Sequence, residues 1–154
     1  MDTPDIQTLT IRDLPRIHSL VLNRYQAEVA PCFDAQGQAS FEQFIEVDAM
    51  QQRLMGGGMF LGIQDKDGKL AAMMEYDSLH THIALLFVHE DCAGKGLGSC
   101  LIEHVLELCQ RMGHARISVC AFPNSVGFYQ KLGFSAEGEE QCNEGIRFLW
   151  MVRP

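Results

Sequence analysis

Three glycines in five residues, Gly94, Gly96 and Gly98, carry the densest chemical signal in this chain. They lie in the run Cys92-Ala93-Gly94-Lys95-Gly96-Leu97-Gly98-Ser99, between a strongly apolar stretch and an amphipathic one. Glycine allows a tight backbone turn and a close approach of N–H groups to a ligand. A helix opening here adds its own unpaired N–H groups and the positive end of its dipole at the same point, and together they make a seat for phosphate. The spacing is neither G-x-x-x-x-G-K-[ST] nor G-x-G-x-x-G, so a nucleotide-binding loop of either kind is not expected. His80 and His82 are two residues apart and project to one side of an extended chain, as a metal pair would. No third ligand stands at a matching spacing, and polar residues at a strand end serve solvent equally well, so no metal is expected.

The glycine loop needs elements on both sides. Ile6, Leu9 and Ile11 alternate with polar residues and predict a first strand. Asp13 and Pro15 then open a helix whose apolar face is Ile17, Leu20, Val21, Leu22 and Tyr25, and Pro31 interrupts it. Ser40 and Gln43 resemble a capping box for a second helix that carries Phe41, Phe44, Ile45 and Leu54 and ends at Gly56-Gly57-Gly58. The apolar runs 59–63 and 70–76 flank Asp67-Gly68, a hairpin signal. The continuous apolar run 83–88 predicts a strand covered on both faces. After the loop, Leu101, Ile102, Val105, Leu106, Cys109 and Met112 form a helical stripe that Gly113 ends. Residues 117–120 predict a short strand, 124–132 a short helix, and Phe134 and 146–152 two closing strands. The resulting order is βααβββαβαββ, an α/β fold in which the strand–loop–helix–strand segment implies a parallel pair.

No linker or internal repeat divides the chain, and residues 1–154 are expected to form one domain. The formal net charge of −8 disfavours nucleic acid and anionic membranes as partners and leaves room for a cationic small molecule. No apolar run reaches the length of a membrane span, and no secretory leader is expected. The six scattered cysteines fit free thiols in a reducing cytoplasm. Monomer and homodimer are equally compatible with the sequence.

Two motifs together give a resemblance. The run from Leu86-Phe87-Val88 through His89-Glu90-Asp91 to the glycine loop resembles the acetyl-CoA-binding motif of the GCN5-related N-acetyltransferases. Asn124-Ser125-Val126-Gly127-Phe128-Tyr129-Gln130-Lys131-Leu132-Gly133-Phe134 is similar to the second signature of that family. They occupy the second half of the chain, and the element order matches the whole fold. The resemblance implies a mixed central sheet with helices on both faces and a parallel pair splayed at the CoA site. It implies an N-acetyltransferase that passes acetyl from acetyl-CoA directly to a primary amine in a ternary complex. The rival reading is a CoA-binding regulatory module with little or no catalysis.

The resemblance also assigns roles. Backbone N–H groups of Gly94, Lys95, Gly96, Leu97, Gly98 and Ser99 would hold the CoA diphosphate, with Lys95 either adding charge or simply solvated. Leu86, Phe87 and Val88 would pair with the pantetheine arm, and a bulge there would free an N–H for the thioester carbonyl. Ala93 departs from the pattern, since the family places a glutamine or arginine there to close over the phosphate. Asn124 would bond the pantetheine arm or cap the following turn. Tyr129 would protonate the departing thiolate; its alternative is an aromatic packing role beside Phe128 and Phe134. Glu75 and His82 are the candidates for the base that takes the amine proton, while Asp77 and His80 read as solvated strand-end residues. Cys92 and Cys120 allow an acyl-cysteine route, but neither has a paired base in the sequence, and direct transfer is preferred.

Overall fold

The computed structural model describes residues 4–154. The chain runs β1 (Ile6–Thr8), α1 (Leu14–Arg24), α2 (Ala35–Phe44), α3 (Val47–Met55), β2 (Met59–Gln64), β3 (Leu70–Asp77), β4 (His82–Val88), α4 (Leu97–Arg111), β5 (Ile117–Ala121), α5 (Val126–Lys131), β6 (Ser135–Ala136), β7 (Gln141–Asn143) and β8 (Ile146–Arg153). An eight-stranded sheet has the order β1-β2-β3-β4-β5-β8-β6, with β7 paired to β8. Among the described residues the one parallel contact is β4 with β5, joined by the α4 crossover that a parallel pair demands. Apolar side chains of α1, α2 and α3 pack on one face with Met73, Leu85 and Phe87. On the other face Leu101, Ile102 and Val105 of α4 pack with Met74, Ile83 and Val119. The expected mixed sheet with helices on both faces is therefore what the chain forms.

Several local expectations are corrected. The second helix is two, because the chain leaves helical geometry between Ile45 and Glu46 before Val47 starts again. Its cap is Asp34, whose Oδ1 accepts from the Gly37 N–H at 2.8 Å, and Ser40 instead donates to the Glu144 carbonyl from within α2. Asp13 does precede α1, but its carboxylate serves the Thr10 N–H and Arg16 rather than the helix. Met112 is exposed rather than part of the α4 stripe. The closing segment holds three strands rather than two, with Glu144 and Gly145 turning β7 into β8. Most important for the site, the apolar run of β4 is not covered on both faces. Ile83, Leu85 and Phe87 are buried, whereas Ala84, Leu86 and Val88 are half-buried and open onto a cleft.

Candidate functional site

The cleft begins where β4 and β5 part. They pair only at His82↔Ser118 and Ile83↔Val119, and beyond this β4 has no strand on that edge. The cause is local. The β3–β4 register moves from Tyr76↔Ile83 to Glu75↔Leu85, which leaves Ala84 without a partner as a bulged residue. A bulge bends its strand and raises its twist, and here it turns β4 away from β5. The bulge thus lies at Ala84, ahead of the segment 86–88 where it was expected. The opening encloses about 250 Å³ at its mouth and narrows to about 30 Å³ at an apex formed by Ile83, Ala84, Val119 and Cys120. Leu86, Phe122, Ser125 and Tyr129 run along both parts.

At the wide end stands the glycine loop. Gly94 and Gly96 have φ of +79° and +78°, the left-handed region where a side chain would be strained, and Gly96 is the residue that caps α4. Among the described residues, no protein acceptor takes the N–H groups of residues 94–99. Six donors, on the loop and in the first turn of α4, are thus left without a protein partner, an arrangement that can hold an anion. Gly98 is held differently: a Cβ there would meet Phe128 Cζ at 3.1 Å, so this glycine lets α5 close against the loop. Ala93 and Gly98 line the cleft, and Lys95 points to solvent.

Tyr129 reaches the cleft from α5. Its ring is fixed by edge contacts to Phe128 at 5.1 Å and Phe134 at 5.4 Å, so the packing reading and the chemical one describe the same side chain. The residue is 5% exposed, and burial raises its pKa well above the usual tyrosine value. No described residue bonds its hydroxyl, which leaves that proton available to a ligand. Cys120 shares the apex, but burial pushes its thiol up to about 11, and the neutral thiol is a poor nucleophile.

Glu75 and His82 do not line the cleft. Both lie on the sheet face that carries Leu85, with Asp77 directly across from His82. Glu75 is 4% exposed, and both its oxygens are taken by Arg53 of α3, at 2.7 Å from Nε and 3.0 Å from Nη2. His82 forms the pair with Ser118, one residue before the final pair Ile83↔Val119 at the apex. Its Nδ1 is 2.8 Å from Ser118 Oγ, its ring stacks on Trp150 at 5.0 Å, and burial lowers its pKa. The His80 ring turns instead to Asp77, so the two histidines face separate partners.

Sequence reasoning missed the wall opposite α5. Below Arg24 the helix α1 continues as a π-turn over Tyr25–Val29, and this carries Arg24, Glu28 and Val29 to the cleft mouth. Asn124 bridges to that wall, donating from Nδ2 to the Glu28 carbonyl at 3.1 Å. One signal was present: Arg24 continues the Ile17, Leu20, Val21 stripe, so a charge sits on the buried side of the helix.

Comparison with known proteins agrees with this architecture. The family model described as an acetyltransferase (GNAT) domain matches residues 29–153. The peptidyl-lysine N-acetyltransferase YjaB of Salmonella typhimurium is 23% identical over 133 residues, covering 86% of this chain and 77% of that protein. A GCN5-related N-acetyltransferase from Rhodopseudomonas palustris superposes with a TM-score of 0.84 at 20% identity, over 99% of this chain and 96% of that one. The PaiA N-acetyltransferase of Thermoplasma acidophilum, solved in complex with coenzyme A, gives 0.81 at 16% identity over 99% of both chains. A family model spanning most of the sequence, on a sheet that opens as β4 and β5 do here, makes this chain a member of the GCN5-related N-acetyltransferases.

Proposed function

We propose that the protein transfers acetyl from acetyl-CoA to a primary amine by direct attack within a ternary complex. The observation that carries this is a cleft whose mouth is lined by Ala93 and Gly98 of the loop, where residues 94–99 keep free N–H groups, and along which the unbonded Tyr129 hydroxyl stands. Acetyl-CoA would supply a thioester already activated toward amines. The loop would hold its diphosphate, and the unpaired edge of β4 would run beside the pantetheine arm as an added strand does. Tyr129 would donate its proton to sulfur as the C–S bond breaks. His82 is the better base of the two candidates, because burial keeps its imidazole neutral while Glu75 is occupied by Arg53. It would act through water, since it stands beside the apex rather than in it.

The acceptor is less constrained. Asp77 is engaged by His80 and Glu75 by Arg53, so these two carboxylates do little to favour a cationic acceptor. The test is thiol release from acetyl-CoA across a panel containing a lysine peptide, a polyamine and an aminoglycoside. Turnover with at least one amine is expected. Tight CoA binding without turnover on any of them would favour the regulatory module.

His82 makes a separate prediction. A base whose pKa is lowered stays deprotonated further into acid, so the acid limb of kcat/KM should have its midpoint below 6.5, the unshifted histidine value. His82→Gln should remove that limb and cost about tenfold at pH 7, less at pH 9 where more amine is already free. A limb that persists in the variant would assign it to another group.

A further inference from the structure

We propose that Arg24 clasps the diphosphate of the cosubstrate, supplying from α1 the side chain that Ala93 lacks on the loop; the assignment rests on the acetyl-CoA reading above. Three observations carry it. Arg24 is 8% exposed, and its Nε is buried with no hydrogen-bond partner. An orphaned N–H on a buried guanidinium costs free energy, and a native site keeps one where a ligand completes it. The side chain lines the same cleft as Val88, Ala93 and Gly98, at the loop end rather than the apex. Its Nη1 is 3.4 Å from Glu90 Oε2, in the turn that leads directly into Ala93. Among the residues lining this cleft it is the one permanent cation.

Its present partners are poorly held. Arg24 pairs with Glu28 through Nη2 and with Glu90 through Nη1, yet those carboxylate side chains are 54% and 65% exposed against 9% for the arginine. Either glutamate can turn into water, whereas the guanidinium is enclosed by its helix and the cleft wall. The carboxylates therefore behave as counterions that a diphosphate displaces. Arginine suits the exchange, because its planar fork presents paired donors that match phosphate oxygens. One arginine between two glutamates also leaves a net negative charge at the phosphate seat, so each carboxylate opposes binding of a dianion.

This gives opposite signs for two variants, a pattern that a merely structural ion pair does not produce. Affinities for CoA, for dephospho-CoA and for pantetheine, which has no phosphate, are measured by calorimetry or NMR titration for the wild type, Arg24→Gln and Glu90→Gln. Arg24→Gln should weaken CoA and dephospho-CoA alike by about tenfold or more and leave pantetheine within about twofold. Glu90→Gln should tighten CoA by about threefold and leave pantetheine unchanged. An equal loss for pantetheine in Arg24→Gln, or unchanged or weaker CoA binding in Glu90→Gln, overturns the assignment. If Arg24→Gln loses its cooperative melting transition, the exposed Glu90→Gln decides alone. A wild type that binds CoA with unresponsive variants removes Arg24 only; a wild type that binds no CoA removes the acetyl-CoA reading and this inference with it.

Discussion

Tyr129→Phe should lower kcat about 100-fold, ~2.7 kcal/mol in the barrier, while the dissociation constant for CoA changes by less than about twofold. The substitution deletes one oxygen and leaves the ring, and the ring is what Phe128 and Phe134 grip. No protein hydrogen bond is lost with that oxygen, so the melting temperature should hold or rise slightly. What disappears, in the proposed mechanism, is the proton for the departing thiolate. Burial raises the tyrosine pKa, so the wild-type donor keeps its proton throughout the neutral range, and no basic limb of kcat from this group should appear below pH 10. Steady-state kinetics with a saturating amine, beside a CoA titration, separates the two effects. Unchanged turnover would leave Tyr129 with its packing role alone.

The parts of the site legible in the sequence are those whose chemistry is local. A glycine loop announces itself because positive φ at Gly94 and Gly96 needs that residue type, and the Asp67-Gly68 hairpin for the same reason at Gly68. The β4 strand was equally visible, but its exposure was not. An apolar run reads as buried on both faces, and nothing in Ala84, Leu86 or Val88 says that the neighbouring strand turns away. That depends on a register shift against β3, a pairing between distant segments. The break between α2 and α3 was hidden for a related reason, since Ile45 and Val47 keep the apolar pattern across it. Asp34 gives a weak cap signal in the sequence because its partner, Gly37, is a weak helix former. Glu75 and Arg53 are far apart in sequence and no spacing rule connects them, so a carboxylate that looked free proves to be bound. Arg24 is the clearest case of a residue whose role depends on the fold. Helical periodicity puts it on the buried side, and only three-dimensional contact shows that this side faces the cleft.

Gly96→Val should weaken CoA binding at least about 100-fold, roughly 2.7 kcal/mol, with a loss of fold stability no greater than its backbone strain. The conformation is the reason. Gly96 has φ +78° and ψ +15°, and a β-branched residue there is strained by about 1–3 kcal/mol. No neighbour stands within 4 Å of the added Cβ, so the fold does not clash. The strain is relieved by moving φ to negative values, and that movement redirects the peptide N–H groups on both sides of the residue. These belong to the donor set of residues 94–99, which acts only while its members point at one place. A control at the other end of the same helix isolates the effect. Gly113 follows α4 with φ +77° and equally open space around a Cβ. Gly113→Val therefore carries similar backbone strain and should lower the melting temperature by a similar amount, yet leave CoA affinity intact because it is remote from the cleft. Equal affinity losses in the two variants would mean that CoA responds to helix strain rather than to the loop. Wild-type affinity in Gly96→Val would move the phosphate seat elsewhere. A binding defect at Gly96 beside a rate defect at Tyr129 would separate holding the donor from releasing its thiol, the two tasks proposed for the loop and for α5.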